Sequence, residues 1–583
     1  MGKVIRLDES TINQIAAGEV VERPASLVKE LIENALDAGA RSVIVEIAGG
    51  GRELVRVTDD GSGMDRDDAL LSLERHATSK IRTIGDIAVS NSLGFRGEAL
   101  PSIASVSRVE IITCVPGDDA GTRILAEGGT VLSCEDSGCR PGTQVTVRDL
   151  FYNTPARLKF LKNASTETSR SVNAAIEACI SAPGVRFGII VDGKEIARTP
   201  GTGRLFDAIV SLYGTEFARS LVEVGSEAQG VAVSGYAGKA GLSRSSRREQ
   251  HFLVLGRPVR DPGIRWALEE AYSGNVARGR YPVAFLNISV SPDAIDVNVH
   301  PAKAEVRFRD ENTVRRTVLV AVSRALAGST EGPVTQGRGA PEGGARPAGR
   351  DLRYDQVGGR KPGGAAAWPS EPGAGDRVFE EFRRRTDATE GLDLASLEPA
   401  GQVLGTYIVA EHAGGIVLVD QHAAHERINF ERISDAMSGG SGLSQALLVP
   451  TPFEPGPAER SVLREYLDTL LSLGFEIEEF GGDTWIVRSC VLVKGIEVPL
   501  QDVLDRLVHD QPIAVEDWPG QRAAAALSAC VASVKAGGRL DRQAQVSLLQ
   551  DLAATREPFR CPHGRPTVIR FEKDDIERRF GRK

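Results

Sequence analysis

The chain has 583 residues, 41% hydrophobic and 26% charged, with a formal net charge of −9. That length suits several domains, roughly four at about 150 residues each, and the acidic balance excludes a surface coated in basic side chains, so nucleic-acid contact must come from local patches. Seven scattered cysteines exclude a dense disulfide framework and point to a reducing, cytoplasmic setting. The opening MGKVIRLDES lacks the apolar stretch of a secretory signal, and no run of about 18 apolar residues suggests a membrane span.

In chain order, ASLVKELIENALDAGA places Leu27, Leu31, Ile32 and Ala35 at helical spacing and predicts a helix. SVIVEIAGG and LVRVTDDGSG read as strands ending in turns, and VEIITCV, GTQVTVRDLF, RFGIIVDG and YPVAFLNISV as further strands. Mixed helix and strand signals predict an α/β or α+β fold. From about Leu326 to Pro399 the chain is rich in Gly, Pro, Ala and charge and has little apolar periodicity. Such a stretch cannot bury enough apolar surface to offset its ordering entropy, so it is expected to be a disordered linker with a reach of roughly 45 Å. Within it VFEEFRRR is a possible short helix. Beyond it, VLGTYIVAEHAGGIVLVDQHAAHERINFERI predicts strand, glycine turn, strand and helix, with Asp420 placed to cap the helix.

Several positions carry chemistry. Glu30 and Asn34 are one helical turn apart and share a face. A carboxylate beside a carboxamide can orient a water and hold Mg²⁺, although a plain polar helix face has the same pattern. In DDGSGM, Asp59 precedes Gly61 and Gly63, where an acceptor for an exocyclic amine would sit beside backbone that can approach a ligand closely. SLGFRGEAL sets Gly94 and Gly97 around Phe95 and Arg96, a loop whose backbone N–H groups can cradle phosphates. GTQV adds Thr143. None of these strings has the spacing of a Walker loop or a dinucleotide fingerprint.

Taken in order, ENALDAG, DDGSG, GFRGEAL and GTQV resemble the nucleotide motifs of the GHKL ATPases. The flanking NQIAAGEVVERPASLVKELIENALDAGA, RHATSKI, SLGFRGEALPSIASVS, DLFYNTPARLKFLK and DVNVHPAKAEVRF closely resemble MutL mismatch-repair proteins through most of residues 1–325. The resemblance implies a multidomain α+β protein. Its parts would be a GHKL (Bergerat) ATPase α/β sandwich over 1–210, an S5-like transducer domain over 211–325, a linker over 326–398, and an α/β dimerisation and endonuclease domain over 399–583. It implies that Glu30 is the general base for ATP hydrolysis, that Asn34 holds Mg²⁺ and that Asp59 reads adenine. Gly61, Gly63, Thr78, Lys80 and Thr143 would line the nucleotide, and Gly94, Phe95, Arg96 and Gly97 would close over the phosphates. Lys303 would reach the γ-phosphate from the second domain, and STINQIAAGEV would pack at an ATP-dependent dimer interface.

Some members of the family carry a nicking endonuclease in the C-terminal part. Its motif, DQHA followed by two spaced glutamates, is matched by Asp420, His422, Glu426 and Glu431. Cys561 and His563 in CPHGRPT, with Cys530 in SACVASVKAGG, would complete a centre for Zn²⁺ and/or Mn²⁺. Asp420 and Glu426 would act in catalysis, and a zinc site that only holds the fold is the alternative. QALLVP, with Gln445, Leu448 and Pro450, matches the family's sliding-clamp-binding pattern, though a short buried strand would read similarly. Arg257 and Arg260 suit phosphate contacts on double-stranded DNA, though a solvated loop would look alike. The resemblance thus implies a cytoplasmic, nucleoid-associated, homodimeric, ATP-gated repair protein that works with a MutS-type mismatch sensor and the replication sliding clamp, without a membrane partner. The alternative is an ATP-dependent scaffold that recruits other repair enzymes and does not cut.

Overall fold

The computed structural model describes residues 18, 20–75, 77–78, 98–138, 140–244, 246–273, 275–276, 280–291, 295–296, 307–328, 392–412, 414–439, 444–481, 484–493, 496–509, 539–562, 564–580 and 582. They form a multidomain α+β protein, and no helix among them is long and apolar enough to cross a membrane.

The N-terminal unit is a sheet with helices on it. Its strands are β1 (Ser42–Ala48), β2 (Leu54–Asp59), β3 (Arg108–Cys114), β4 (Gly121–Glu127), β5 (Thr130–Ser137), β6 (Gly142–Arg148), β7 (Arg186–Val191) and β8 (Lys194–Arg198). Their order is β5-β4-β3-β6-β2-β1-β7-β8, with β1 and β7 the parallel neighbours. Helix α1 (Pro24–Asp37) packs on it with Leu27, Val28, Leu31, Ile32 and Ala35 buried, each large side chain contributing about 1.5–3 kcal/mol. Pro24 opens the helix, where a missing N–H is tolerated. Gly39, at φ +72°, closes it, with the Ala40 N–H donating back to the Ala35 carbonyl. Helices α2 (Ala99–Ser105), α3 (Ala164–Ser181) and α4 (Leu205–Tyr213) share this core.

The second unit is a five-stranded sheet of β9 (Leu221–Ala228), β10 (Val231–Gly238), β11 (Gln250–Val254), β12 (Arg257–Val259) and β13 (Ala284–Val290), ordered β12-β11-β13-β10-β9. Helices α5 (Pro262–Ala271) and α6 (Glu311–Gly328) cover it around their own core. The expected break near residue 210 falls within α4, whose Ile209 and Leu212 are buried in the first core together with Leu221 at the start of β9. At the other end α6 continues to Gly328 with Leu326 buried.

The C-terminal part holds two further cores. One has β14 (Glu398–Val403), β15 (Tyr407–His412), β16 (Gly415–Asp420) and a strand from the far end of the chain (Val568–Glu572) beside β16. Helices α7 (Gln421–Gly439) and Arg542–Ala553 pack together against this sheet. The other core is built from β17 (Ser444–Phe453), α8 (Pro457–Glu465), β18 (Ile477–Gly481), β19 (Thr484–Val493), β20 (Ile496–Val498) and α9 (Leu500–His509). Leu392, Leu394 and Leu397 are buried in the first of these cores. Ordered structure therefore reaches into both ends of the segment expected as linker at 326–398, because those ends carry leucines that a core can bury. The possible VFEEFRRR helix lies outside the described residues.

Candidate functional sites: a nucleotide pocket and a C-terminal centre

The nucleotide candidates gather at one end of the first sheet. Glu30 and Asn34 are both half-buried on α1, one turn apart and bordering the stripe of its buried leucines. Asp59 ends β2, directly opposite Thr143 on β6, and Thr143 is opposite Thr113 on β3. The Asp59 carboxylate accepts the Gly61 N–H at 2.8 Å and the Thr143 N–H at 3.3 Å. Burial, opposed by those two N–H groups and reinforced by the neighbouring Asp60, raises its pKa from 3.8 to about 6. Asp60 has a different role. Its carboxylate accepts the Arg41 and Ser42 N–H groups at 2.7 Å each and ties the end of β2 to the start of β1.

The loop after β2 is pinned close to its neighbours. The Ser62 N–H donates to the Ala38 carbonyl at 3.0 Å, which holds DDGSG against the end of α1. Gly63 sits at φ +65°, and a Cβ there would overlap the Cys114 carbonyl. Gly142, at φ +119°, lies so near the Asp59 carbonyl that only glycine fits. Thr113 Oγ1 receives the Met64 N–H at 2.9 Å and lies 3.0 Å from Thr143 Oγ1. Sequence reading missed Thr113, because its place opposite Thr143 depends on strand register. Thr78 is exposed. Lys80, Gly94, Phe95, Arg96, Gly97 and Lys303 lie outside the described residues, as does nearly all of STINQIAAGEV.

The described C-terminal candidates lie around the end of β16 and the start of α7, although among the described residues their ligand atoms do not gather as a group of three within 4.8 Å. The Asp420 carboxylate accepts the His422 and Ala423 N–H groups at 2.9 and 3.1 Å and so caps α7 as expected. His422 Nε2 lies 3.1 Å from Glu426 Oε1 one turn on, and Glu426 is 1% exposed. His422 Nδ1 is buried without a hydrogen-bond partner in this structure. Arg565 Nη2 approaches Glu426 at 3.4 Å, a contact that only the fold brings about.

The turn carrying Cys561 is delivered to the same place. The Asp420 N–H donates to the Thr567 carbonyl at 2.9 Å, and the strand after Thr567 pairs with β16. The Cys561 N–H donates to the Arg565 carbonyl at 2.8 Å, closing a hairpin around Gly564 at φ +78°. The Cys561 thiol is buried and not in a disulfide. Glu431 has a scaffolding role, accepting the Arg556 N–H at 2.8 Å and the Glu557 N–H at 3.3 Å. Arg427, 3% exposed, bonds the Arg560 carbonyl and Glu557. These anchors hold the hairpin against α7. Cys530 and His563 lie outside the described residues.

Of the remaining candidates, Gln445, Leu448 and Pro450 are exposed on β17, where pairing with β19 is interrupted between Ala446 and Thr451. Leu448 is fully exposed and Val449 71% exposed, so this stretch is not a buried strand. Arg257 is half-buried on β12, and Arg260 is 75% exposed, 3.8 Å from Glu177.

An acceptor set for an amine beside a glycine-lined loop, with a carboxylate and a carboxamide one turn apart on the covering helix, defines an ATP-binding sandwich joined to further domains. The comparisons agree. "Histidine kinase-, DNA gyrase B-, and HSP90-like ATPase" matches residues 22–124, "DNA mismatch repair protein, C-terminal domain" residues 209–327, and "MutL C terminal dimerisation domain" residues 400–540. The chain is 42% identical to DNA mismatch repair protein MutL of Symbiobacterium thermophilum and 43% identical to that of Desulforudis audaxviator, over 100% of both chains in each case. The Aquifex aeolicus MutL ATPase domain complexed with ADP is 23% identical at a TM-score of 0.38, covering 54% of this chain and 100% of that one. The chain belongs to the MutL family of DNA mismatch repair proteins, with an N-terminal ATPase domain and a C-terminal dimerisation domain.

Proposed function

We propose that this protein is an ATP-gated dimeric clamp that couples mismatch recognition to strand incision, with a metal-dependent nicking endonuclease in its C-terminal part. The observation that carries the nuclease reading is the His422–Glu426 pair beside the Asp420 cap, with the hairpin bearing Cys561 tied to the same end of β16 through the Asp420–Thr567 backbone bond.

On the ATPase side, Glu30 accepts the proton of the attacking water as its oxygen bonds to the γ-phosphorus, and the bond to the β-phosphate oxygen breaks to release ADP. Asn34 would hold Mg²⁺, which when bound neutralises phosphate charge. Asp59 accepts a hydrogen bond from the adenine amine, and Thr143 and the two loop glycines shape the wall beside it. The Gly94–Gly97 loop and Lys303 close over the phosphates. Because Lys303 belongs to the transducer domain and Glu30 to the first, ATP favours the state in which both touch it, and hydrolysis removes that preference.

On the C-terminal side the donors fit a transition-metal centre by chemical type, and a bound ion would have to draw them closer together than they lie here. A buried thiol, an imidazole with an unpartnered buried nitrogen and a buried carboxylate suit Zn²⁺ or Mn²⁺. Asp420, His422, Glu426 and Cys561 would hold it, joined by Cys530 and His563. When bound, the metal supplies an activated water and charge stabilisation for a phosphodiester. The non-cutting scaffold reading draws support from Arg565, whose guanidinium already offsets part of the Glu426 charge.

Double-stranded DNA would lie along Arg257 and Arg260, and a replication sliding clamp would take the exposed Gln445–Pro450 stretch. A MutS-type sensor would recruit the protein. The test is incubation of covalently closed plasmid with purified protein and Mn²⁺, with and without ATP. Nicked circles support the reading; intact plasmid under all conditions, with ATPase activity retained, supports the scaffold.

A further inference from the structure

A second feature lies where the C-terminal part meets the two N-terminal units. We infer that the C-terminal part folds back onto its own ATPase and transducer domains through α8 and α9, and that a cluster of three buried carboxylates makes this docked state protonation-dependent.

The contact surface is built for close approach. The first half of α3 is unusually polar for a buried helix, with Ser165, Thr166, Ser169 and Ser171 all nearly inaccessible. Helix α8 packs against α3, and Ser169 Oγ donates to the Ala458 carbonyl at 2.9 Å. Ala458 belongs to the hydrophobic core of the ATPase domain although it lies in the C-terminal part. Arg460 donates to the Ile196 carbonyl at 2.8 Å, Asn163 donates to Glu465 at 3.3 Å, and Arg280 pairs with Asp502 of α9. These contacts link residues more than 200 positions apart, so both halves of the surface come from this chain.

Glu459 of α8, Asp505 of α9 and Glu249 before β11 meet within this seam. One oxygen from each lies within 4.8 Å of the others, and all three residues are buried. Glu459 accepts the Gly456 N–H at 2.8 Å and a bond from Gln501. It is faced by Asp505 and Glu249, and by Arg244 and Arg248 from the transducer domain. Glu249 is faced by the same arginines and by Asp505, and its Oε2 has no hydrogen-bond partner in this structure. Two guanidinium groups already supply positive charge, so the cluster reads as a strained ionic seam more than a cation cage.

The sign follows from burial. Glu459 is pushed up to about 8, first by burial and then by Asp505 and Glu249, and Glu249 is also raised, first by burial and then by Asp505. Separation exposes both groups and returns them toward the ordinary carboxylate range. The docked state therefore binds more protons than the separated one. Its stability is fully present at the acid end and is lost as pH rises through about 8.

The experiment is small-angle scattering of the full chain at about pH 6.5 and about pH 9.5, values that bracket the titration, with mass from the forward intensity to hold the oligomeric state in view. The parent should expand at the higher pH by roughly 10 Å in radius of gyration, within the linker's reach. Glu459→Gln should stay compact at both. Ser169→Arg and, from the other side, Ala458→Arg should be expanded at both, with the melting of the ATPase domain checked in parallel. A parent radius that is the same at both pH values and in the arginine variants would overturn the inference. So would a compaction that EDTA abolishes at constant pH, which would mean that a cation holds the cluster.

Discussion

Asp59→Asn separates nucleotide reading from folding. The substitution keeps shape and leaves Oδ1 able to accept the Gly61 and Thr143 N–H groups. It presents an amide donor where the adenine amine is also a donor. Losing a hydrogen bond to a charged acceptor costs about 1.5–3 kcal/mol, so ATP affinity should fall about 10- to 150-fold. Folding should respond in the opposite direction. A carboxylate raised from 3.8 to about 6 contributes stability that is fully present below 3.8 and lost as pH rises to 6. At neutral pH the charged form therefore carries a penalty of up to about 3 kcal/mol, less whatever residual solvent screens. Asn removes that penalty, so the variant should melt at or above the parent temperature while binding ATP poorly. Nucleotide titration and thermal melting on the same sample give both quantities. Affinity within twofold of the parent would refute the adenine-reading role, and a lowered melting temperature would refute the burial argument.

Glu30→Ala should abolish ATP turnover while ATP binding persists, because the base acts on the water and not on affinity; single-turnover hydrolysis beside equilibrium binding distinguishes the two. ATP affinity of the parent should weaken as pH falls through about 6, since the adenine amine needs the ionised Asp59, and the Asp59→Asn variant should lose this dependence in the same titration. Replacing Gln445, Leu448 and Pro450 with alanine should remove sliding-clamp capture in a pull-down and leave ATPase rate and melting temperature unchanged, because Leu448 is fully exposed. Glu431→Ala should lower the stability of the C-terminal part by about 1.5–3 kcal/mol by freeing the Arg556 and Glu557 N–H groups, read by chemical denaturation.

Where local chemistry decides structure, the sequence was readable. The spacing of Leu27, Leu31, Ile32 and Ala35 predicts α1, and the alternation before DDGSG predicts β2 and the turn after it. Asp420 caps α7 as its position after an apolar run suggests. What register and tertiary contact decide was not readable. Gly142 looks like an ordinary strand residue until β2 brings the Asp59 carbonyl against it. Thr113 comes beside Thr143 only because β3 lies next to β6. Glu431 sits at the spacing of a nuclease motif, yet its carboxylate holds the Arg556 backbone. The seam between α3 and α8 left no trace, since serine and threonine on a helix ordinarily face water and nothing local marks them as covered.

The central claim is that the end of β16 is a nuclease centre, and plasmid nicking by purified Asp420→Asn protein, with metal content measured on the same sample, tests it most directly. Asparagine caps helices about as well as aspartate, so α7 should keep its start and the protein should stay folded and dimeric. Nicking with Mn²⁺ should be lost while ATP hydrolysis continues at the parent rate. Undiminished nicking by this variant would contradict it and would leave the cluster around Asp420, His422, Glu426 and Cys561 as a site that only holds the fold.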